Sequence, residues 1–389
     1  MNIPQEAVRL RSVQAPVMGQ VSDLIRQHPG TISLGQGVAH YAPPAAVLQA
    51  VGRYIRMPEA HGYGYGIGHE KLRAAAAEKL DAENRLDDGY EVVVTAGSNM
   101  GFFQSVLAIT DPGDEVILLA PYYFNHEMAV GIADCRPVVV QLGPDFIPSP
   151  DVIEAHITPR TRAVVTVSPN NPTGVVYSKS RLRDINRLCA RHGIYHVSDE
   201  AYEYFTFAGA QHYSSGATPG ASGHTISLYS LSKSYGMAGW RLGYMAVPRH
   251  LLPAIKKIQD TNVICAALPS QAAAIKALSI GAAYCRQFLP GLDAVRQMVL
   301  DGLSDLGSLL QVAPSTGAFY VFLNLNTTMS SVTVCERLIR EHRVAVIPGG
   351  TFGHVTPSVR IAYGNLPKEE IEKALDRLRD GLRVLLQQV

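Results

Sequence analysis

The stretch TISLYSLSK, residues 225–233, begins as a short apolar run and ends at a lysine placed between serines. A run of about four to six apolar, β-rich residues suits a strand that is buried on both faces of a sheet. Lys233 follows this run directly, and Arg241 comes eight residues later. The segment is therefore either a polar loop with a charge at each end or a set of amine, hydroxyl and guanidinium groups arranged for chemistry.

Further apolar runs alternate with helical patterns on the N-terminal side of this stretch. They are EVVVTAG (91–97), DEVILLAPYY (114–123), RAVVTV (162–167) and IYHVSDEAY (194–202). Buried strands that alternate with helices are typical of parallel sheets. The pattern predicts an α/β fold with a mostly parallel central sheet and helices on both of its faces.

The last third of the chain has a different pattern. Short strands are predicted at 317–325, 344–349 and 358–364, and a closing helix is predicted at 367–386. Pro367 begins that helix, acidic residues fill its first turn, and leucines recur at helical spacing. We expect a large domain over residues 45–285 and a smaller α/β domain formed by residues 1–44 and 286–389.

Composition excludes several classes of protein. The formal net charge of the 389 residues is +1, which gives no global attraction to nucleic acid or to an anionic membrane. No apolar run reaches the ~18 residues of a membrane span, and the N-terminus lacks the apolar block of a signal peptide. The five cysteines are widely spaced, without a CxxC pair. This pattern favours buried thiols in a reducing cytoplasm over disulfides or a zinc site.

Polar clusters follow the central strands, at the sheet edge where open α/β sheets bind ligands. The residues involved are Gly97, Ser98 and Asn99; Tyr123; Asn171; Asp199 and Tyr202; and Ser230, Ser232 and Lys233. Taken singly, most have an ordinary alternative: Ser98 or Asp199 as a helix cap, Tyr123 as a core residue, and the SPNNPTG stretch (168–174) as a turn in which Pro172 can be cis. Their convergence on one edge favours a binding site.

The combined residue types fit pyridoxal 5′-phosphate. A carboxylate such as Asp199 can keep the pyridine nitrogen protonated, so that the ring accepts electrons. Asn171 and Tyr202 can donate hydrogen bonds to the 3′-oxygen, and the Lys233 amine can form a Schiff base with the aldehyde. Ser98, Ser230 and Arg241, with backbone amides, can bind the phosphate.

The chain resembles the fold-type I, class I/II aminotransferases over nearly its whole length. The motifs that carry the resemblance are NNPTG (170–174), SDEAY (198–202), SLSKSYGMAGWRLG (230–243), PGGTFG (348–353) and RIAYG (360–364). The resemblance implies that Lys233 holds the cofactor and moves the proton at the substrate α-carbon. It also implies that Asp199 pairs with the ring nitrogen and that Tyr123 stacks on the ring. By the same resemblance Arg360 binds the substrate α-carboxylate, for which a planar bidentate donor is well suited.

The resemblance also implies a homodimer with shared active sites. The segment HGYGYGIGHEKLRAA (61–75) is similar to the family's crossing segment, with Tyr63 contacting the neighbour's phosphate and Tyr65 as the less favoured candidate. Its glycines do not spell GxGxxG and do not follow a strand, so a dinucleotide site is rejected.

Two departures from the family pattern concern the substrate. The family's N-terminal substrate loop often reads G-x-P-D-F, whereas this chain keeps Gly37 and continues Val38-Ala39-His40-Tyr41. Asn99 stands where members that act on acidic substrates carry a lysine. We therefore expect an L-amino acid donor with a neutral or aromatic side chain, Gly37 and Val38 near the substrate, and an acceptor such as 2-oxoglutarate or pyruvate.

Other functions stay open at this point. HExxH and GxSxG motifs are absent from the sequence, which argues against a metallohydrolase or a serine hydrolase. The same fold also serves carbon–sulfur β-lyases, ring-forming synthases and ligand-responsive regulators. For a regulator, the ~30 residues before ISLGQG (32–37) are expected to be too few for a DNA-binding domain.

Overall fold

The computed structural model describes residues 6–387. Its β-strands are β1 (Ile32–Ser33), β2 (Tyr90–Thr95), β3 (Glu115–Ala120), β4 (Arg136–Gln141), β5 (Thr161–Val167), β6 (Tyr195–Asp199), β7 (Thr225–Ser230), β8 (Gly243–Pro248), β9 (Leu310–Val312), β10 (Tyr320–Leu325), β11 (Val344–Ala345), β12 (Ile347–Pro348) and β13 (Ser358–Ala362). Its α-helices are α1 (Val17–Gln27), α2 (Ala45–Tyr54), α3 (Glu70–Asn84), α4 (Ser98–Ile109), α5 (Phe124–Ile132), α6 (Pro150–Glu154), α7 (Lys179–His192), α8 (Leu231–Ser234), α9 (Leu252–Asn262), α10 (Leu268–Ile280), α11 (Ala283–Arg286), α12 (Leu289–Ser304), α13 (Ser331–His342) and α14 (Lys368–Leu386).

The central sheet has seven strands in the order β2-β8-β7-β6-β5-β3-β4. The pairs formed among β3 to β7 are parallel, whereas β8 is antiparallel to both β7 and β2. The carboxyl ends of β2, β5, β6 and β7 therefore lie at the same edge. The mostly parallel α/β sheet predicted from the sequence is confirmed, with β4 and β8 as strands that the sequence reading had not placed.

Helices cover both faces of this sheet, as predicted. On one face, Phe102 and Val106 of α4 pack against Leu118 of β3 and Leu228 of β7. On the other face, Leu188 of α7 packs in one cluster with residues of the strands. Along each strand, these residues alternate with the residues that pack on the first face. The inner strands are buried on both sides, which is why they read as continuous apolar runs rather than as alternating ones, whereas the edge strand β4 is largely exposed.

The second, antiparallel sheet has the order β12-β13-β10-β9. The predicted strand at 344–349 is in fact two short strands with different partners. Strand β11 pairs with β1 in parallel, with Val344 opposite Ile32. Strand β12 pairs with β13 instead, with Ile347 opposite Arg360. The N-terminal segment is thereby joined to the last third of the chain.

The closing helix α14 begins at Lys368, with Pro367 as its N-cap rather than as its first residue. The predicted apolar positions of this helix, from Ile371 to Leu385, are all buried in the cluster that also contains β10 and β13. The helix therefore closes the second sheet from one side. The domain boundaries at 44/45 and 285/286 remain a prediction.

The cysteines are free, and four of them are buried, as expected, whereas Cys265 is only half-buried. Across residues 6–387, we find no helix with the length and apolar character that crossing a membrane requires. Within the same range, no cluster of His, Cys, Asp and Glu side chains is suited to hold a metal ion.

Candidate active site

A cavity opens at the carboxyl edge of the central sheet. Its lining residues are Ser98, Asn99, Tyr123, Val167, Asn171, Asp199, Ala201, Tyr202, Ser230, Ser232, Lys233 and Arg241. The structure thus brings together, from separate strand ends, most of the side chains that the sequence predicts for the site.

Lys233 does not lie at the end of the strand itself. Strand β7 stops at Ser230, and the next residues form the single turn α8, which presents the lysine to the cavity. The Ser230 hydroxyl caps this turn by accepting a hydrogen bond from the Ser232 N–H at 3.2 Å. Burial, together with the positive charges of Arg241 and Arg360, lowers the pKa of the Lys233 amine to about 8, against the opposing effect of Asp199. The amine can therefore gain and lose a proton near neutral pH.

Asp199 is a buried carboxylate with two partners. Its Oδ1 accepts a hydrogen bond from the Ala201 N–H at 3.1 Å within a turn, and no helix begins there, so the helix-capping role weighed from the sequence is wrong. Its Oδ2 lies 3.2 Å from Nε2 of His126. One face of the carboxylate is thus held by the protein, and Asp199 also lines the cavity.

His126 is a site residue that the sequence reading missed. Its ring stacks on Phe102 with centroids 4.0 Å apart, and it meets the Tyr123 ring edge-on at 5.2 Å. His126 lies in the first turn of helix α5, three residues after Tyr123, which is the N-cap of that helix. That spacing was the available signal, but a histidine within an apolar helix is more often a core residue.

Arg360 is buried behind the cavity wall. Its Nη1 donates to Oδ1 of Asn171 at 2.9 Å and its Nη2 donates to the Gly35 carbonyl oxygen. The guanidinium also lies over the Tyr320 and Phe352 rings, 4.7 and 5.0 Å from their centroids. Among the described residues no carboxylate lies within ion-pair distance of it, and its Nε has no hydrogen-bond partner. A buried cation without a counter-ion is prepared for an anion.

Tyr202 reaches the cavity, and its hydroxyl is hydrogen-bonded to that of Tyr320, which sequence reasoning also missed. Burial, followed by the effect of Tyr320, raises the pKa of the Tyr202 phenol well above its usual value, so the hydroxyl stays protonated and can donate. At Gly37, a Cβ atom would lie only 2.0 Å from the Tyr320 hydroxyl oxygen, so this position requires glycine. The Asn171–Pro172 peptide bond is cis, as the sequence allowed.

The opposite end of the cavity is built from hydroxyls, a guanidinium and a helix start. Gly97 is the N-cap of α4 with φ 84°, a left-handed conformation that favours glycine. A Cβ atom at Gly97 would lie 2.6 Å from Nη2 of Arg241, so the glycine leaves room for that side chain. Free amides at the start of α4 and the Arg241 charge make this end suitable for a phosphate.

Two predicted site residues lie apart from this cavity. Tyr63 is 85% exposed and lines a surface groove with residues of α2 and α10, so it does not serve the cavity of its own chain. Val38 is half-buried in the loop before α2 and is not among the lining residues. Gly97, Gly37 and Arg360 do not line the cavity either. Gly97 lies beside Arg241 and Arg360 bonds to Asn171, and both partners line the cavity. Gly37 lies against Tyr320, which bonds to the lining residue Tyr202.

Comparison with known proteins gives one consistent result. The family model for aminotransferase class I and II matches residues 29–378. The chain is 34% identical to an aromatic aminotransferase of Arabidopsis thaliana, covering 97% of this chain and 96% of that protein. It is 36% identical to a probable aspartate/prephenate aminotransferase of Thermus aquaticus, covering 91% of this chain and 86% of that protein.

Solved structures agree with these relatives. The aspartate aminotransferase from Thermus thermophilus, determined with maleate, matches with a TM-score of 0.90 at 32% identity, covering 97% of this chain and all of that one (100%). A Pyrococcus protein called protein-A1 matches with a TM-score of 0.91 at 32% identity over 98% of both chains. This chain therefore belongs to the class I and II aminotransferases and is a pyridoxal 5′-phosphate-dependent enzyme that transfers amino groups between amino acids and 2-oxo acids.

Proposed function

We propose that this aminotransferase takes its amino group from L-amino acids with neutral or aromatic side chains and passes it to a 2-oxo acid such as 2-oxoglutarate or pyruvate. The observation that carries the proposal is the Lys233 amine, whose pKa is lowered to about 8 in a cavity with Asp199 and Arg241 among its lining residues. In this proposal Lys233 is the covalent and proton-transferring group.

The residues of the cavity fit the cofactor. When bound, pyridoxal 5′-phosphate supplies an aldehyde that takes up the amino group and a protonated ring that accepts electrons from the substrate α-carbon. Ser98, Ser230, Ser232 and Arg241 would hold the phosphate, together with the amides that follow Gly97. The space that glycine leaves beside the Arg241 guanidinium supports this assignment.

The ring would be held between Asp199, Tyr123 and the pair formed by Asn171 and Tyr202. Asp199 would bind the protonated ring nitrogen, and the His126 ring, whose Nε2 lies 3.2 Å from Oδ2, orients the carboxylate for that purpose. Tyr202 stays protonated and is able to donate to the 3′-oxygen. Asn99 lines the same cavity and would contact the cofactor beside Tyr123.

Arg360 would bind the substrate α-carboxylate. Its two outer nitrogens are fixed by Asn171 and Gly35, and aromatic rings cover it, so the guanidinium is oriented before the substrate arrives. A fixed carboxylate determines which bonds of the α-carbon face the cofactor. Lys233, which lines the same cavity, would hold and move the proton at the substrate α-carbon.

The donor preference rests on which charges surround the substrate. Asn99 contributes no positive charge, and Val38 and Ala39 are apolar, so a second carboxylate on the substrate would find no cation among these residues. The relatives include enzymes named for aromatic and for aspartate or prephenate substrates, so their names alone do not decide between these donors. Gly37 and Val38, in the loop before α2, would lie near the substrate side chain.

The active unit in this proposal is a homodimer. Tyr63 and Tyr65 are exposed in a groove, and Leu48, Ile55 and Met57 are exposed on the neighbouring surface. An exposed apolar surface of this kind is typical of a protein interface. A second copy that covers it would let Tyr63 contact the cofactor phosphate of its partner.

Two further expectations accompany this function. Residues 45–285 would form the cofactor-binding domain, and residues 1–44 with 286–389 would form a smaller domain that closes on the substrate. The pairing of β1 with β11 supports the second grouping. The free thiols support a cytoplasmic location.

We predict that Lys233→Ala abolishes covalent attachment of the cofactor and lowers kcat by at least about 10²–10⁴-fold. Borohydride reduction followed by peptide mapping should label Lys233 in the wild type. Lys373→Ala, which removes an exposed lysine of α14, is the control and should label normally. Because only the neutral amine reacts, cofactor uptake by the cofactor-free protein should accelerate as pH rises through about 8. A label on another lysine would disprove the assignment.

Asp199→Asn should retain the cofactor but slow proton removal from the substrate α-carbon by about 10²–10³-fold, since the ring nitrogen loses its anionic partner. Single-turnover kinetics with an α-deuterated donor measures this step. An Asn variant that reacts as fast as the wild type would leave Asp199 only its turn bond to Ala201.

Mixing inactive variants tests the dimer. Lys233→Ala mixed with Tyr63→Ala should recover activity, because one site of each hybrid would have both residues; random assortment in a two-fold dimer gives about one quarter of all sites. Lys233→Ala mixed with Arg360→Ala should recover none, since both residues serve the same site. An enzyme that sediments as a monomer and is fully active would refute this arrangement.

Incubation with single amino acids, without an acceptor, tests the donor preference. Phenylalanine, leucine and methionine should convert the bound cofactor to pyridoxamine phosphate faster than aspartate does, because the aspartate side chain would bury an unpaired charge. Faster conversion by aspartate would reverse the preference. Release of pyruvate and ammonia from cystathionine, with no pyridoxamine phosphate formed, would instead indicate a β-lyase.

A further inference from the structure

Tyr41 ends the loop that departs from the family pattern, at the position where the family's G-x-P-D-F motif has phenylalanine. Its side chain is buried, with 8% of its surface exposed. The ring stacks on Phe288 with centroids 4.0 Å apart and planes 6° from parallel, and it meets Tyr284 edge-on. A phenylalanine ring would make the same contacts, so packing alone does not require the hydroxyl.

The Tyr41 hydroxyl is directed at the lysine of the active site. It donates a hydrogen bond of 2.7 Å to the backbone carbonyl oxygen of Lys233. The Cys285 sulfur lies 3.6 Å from the same hydroxyl. A phenylalanine at position 41 could not form the hydrogen bond to Lys233, because it has no hydroxyl group.

The backbone of the loop also fits against the turn that follows Lys233. Gly236 has φ 64°, and a Cβ atom there would lie 2.3 Å from the Tyr41 carbonyl oxygen and 3.0 Å from the Ala42 carbonyl carbon. The loop and the lysine turn are therefore in contact at two independent places, through the hydroxyl and through the main chain.

We propose that Tyr41 is a positioning residue: its hydroxyl fixes the peptide group of Lys233 and ties the loop that carries Gly37 and Val38 to the lysine. The inference rests on the role proposed above for Lys233. The turn α8 has only four residues, and a helix this short is not stable by its own hydrogen bonds. Because the Lys233 amine has to move during the reaction, its position can be controlled only through its backbone.

The test compares Tyr41→Phe with Tyr284→Phe in the holoenzyme. Tyr284 belongs to the same aromatic group, and its hydroxyl donates to the Ala42 carbonyl rather than to Lys233. Tyr41→Phe should lower kcat roughly three- to tenfold, the range that one neutral hydrogen bond is worth, and leave the KM of the donor within about twofold. Tyr284→Phe should leave both values as in the wild type.

Hydrogen exchange supplies the readout that does not depend on activity. Tyr41→Phe should accelerate amide exchange in residues 231–236, where the N–H groups of Tyr235 and Gly236 bond within the turn, and not in β7 or α10. The same exchange rates in both variants, or a kcat equal to wild type, would overturn the proposal. Faster exchange throughout the protein would indicate a structural role only and would overturn it too.

The proposed function can fail separately from this inference. If the borohydride-trapped cofactor maps to another lysine, the role of Lys233 is wrong whatever Tyr41→Phe does, and the positioning role falls with it. If the cofactor maps to Lys233 and Tyr41→Phe still turns over like the wild type, only the positioning role is wrong.

Discussion

Positive charge at the cavity that the protein itself does not fully neutralise is the constraint on which this site depends. Lys233 experiences the charges of both Arg241 and Arg360, and Asp199 is the carboxylate that opposes them. Burial is the largest cause that lowers the pKa of the lysine, and the two arginines act in the same direction, so the amine gives up its proton more readily. Anions relieve the repulsion among these positive charges when they bind, so one arrangement both activates the amine and attracts a phosphate and a carboxylate.

The topology of the sheet makes this concentration of charge possible. The strands that end at the cavity are separated by long stretches of chain, yet their parallel order brings Asp199, Asn171 and the turn of Lys233 to one edge. The cost of burying polar groups is offset because they bond to one another, as Asn171 does to Arg360 and Asp199 to His126.

The sequence predicted those parts of the fold and site that local patterns encode. Buried parallel strands appear as apolar runs, and a polar residue at the end of such a run is conspicuous, which is how Asp199 and Lys233 were found. His126 and Tyr320 were missed because each lies within an apolar segment and gains its role only from a partner distant in sequence. The split of residues 344–349 into two strands was missed for a similar reason: its cause is the pairing of Val344 with Ile32 and of Ile347 with Arg360.

The pairing of β1 with β11 also has a consequence for biosynthesis. Ile32 and Val344 are partners although about 310 residues separate them. Because a chain leaves the ribosome from its N-terminus, the central sheet has all of its strands once Pro248 has emerged, whereas β1 has to remain unpaired until almost the whole chain is made. Contacts between positions so far apart in sequence also form slowly. The N-terminal strand is therefore open to binding by a nascent-chain chaperone during most of the synthesis of this protein.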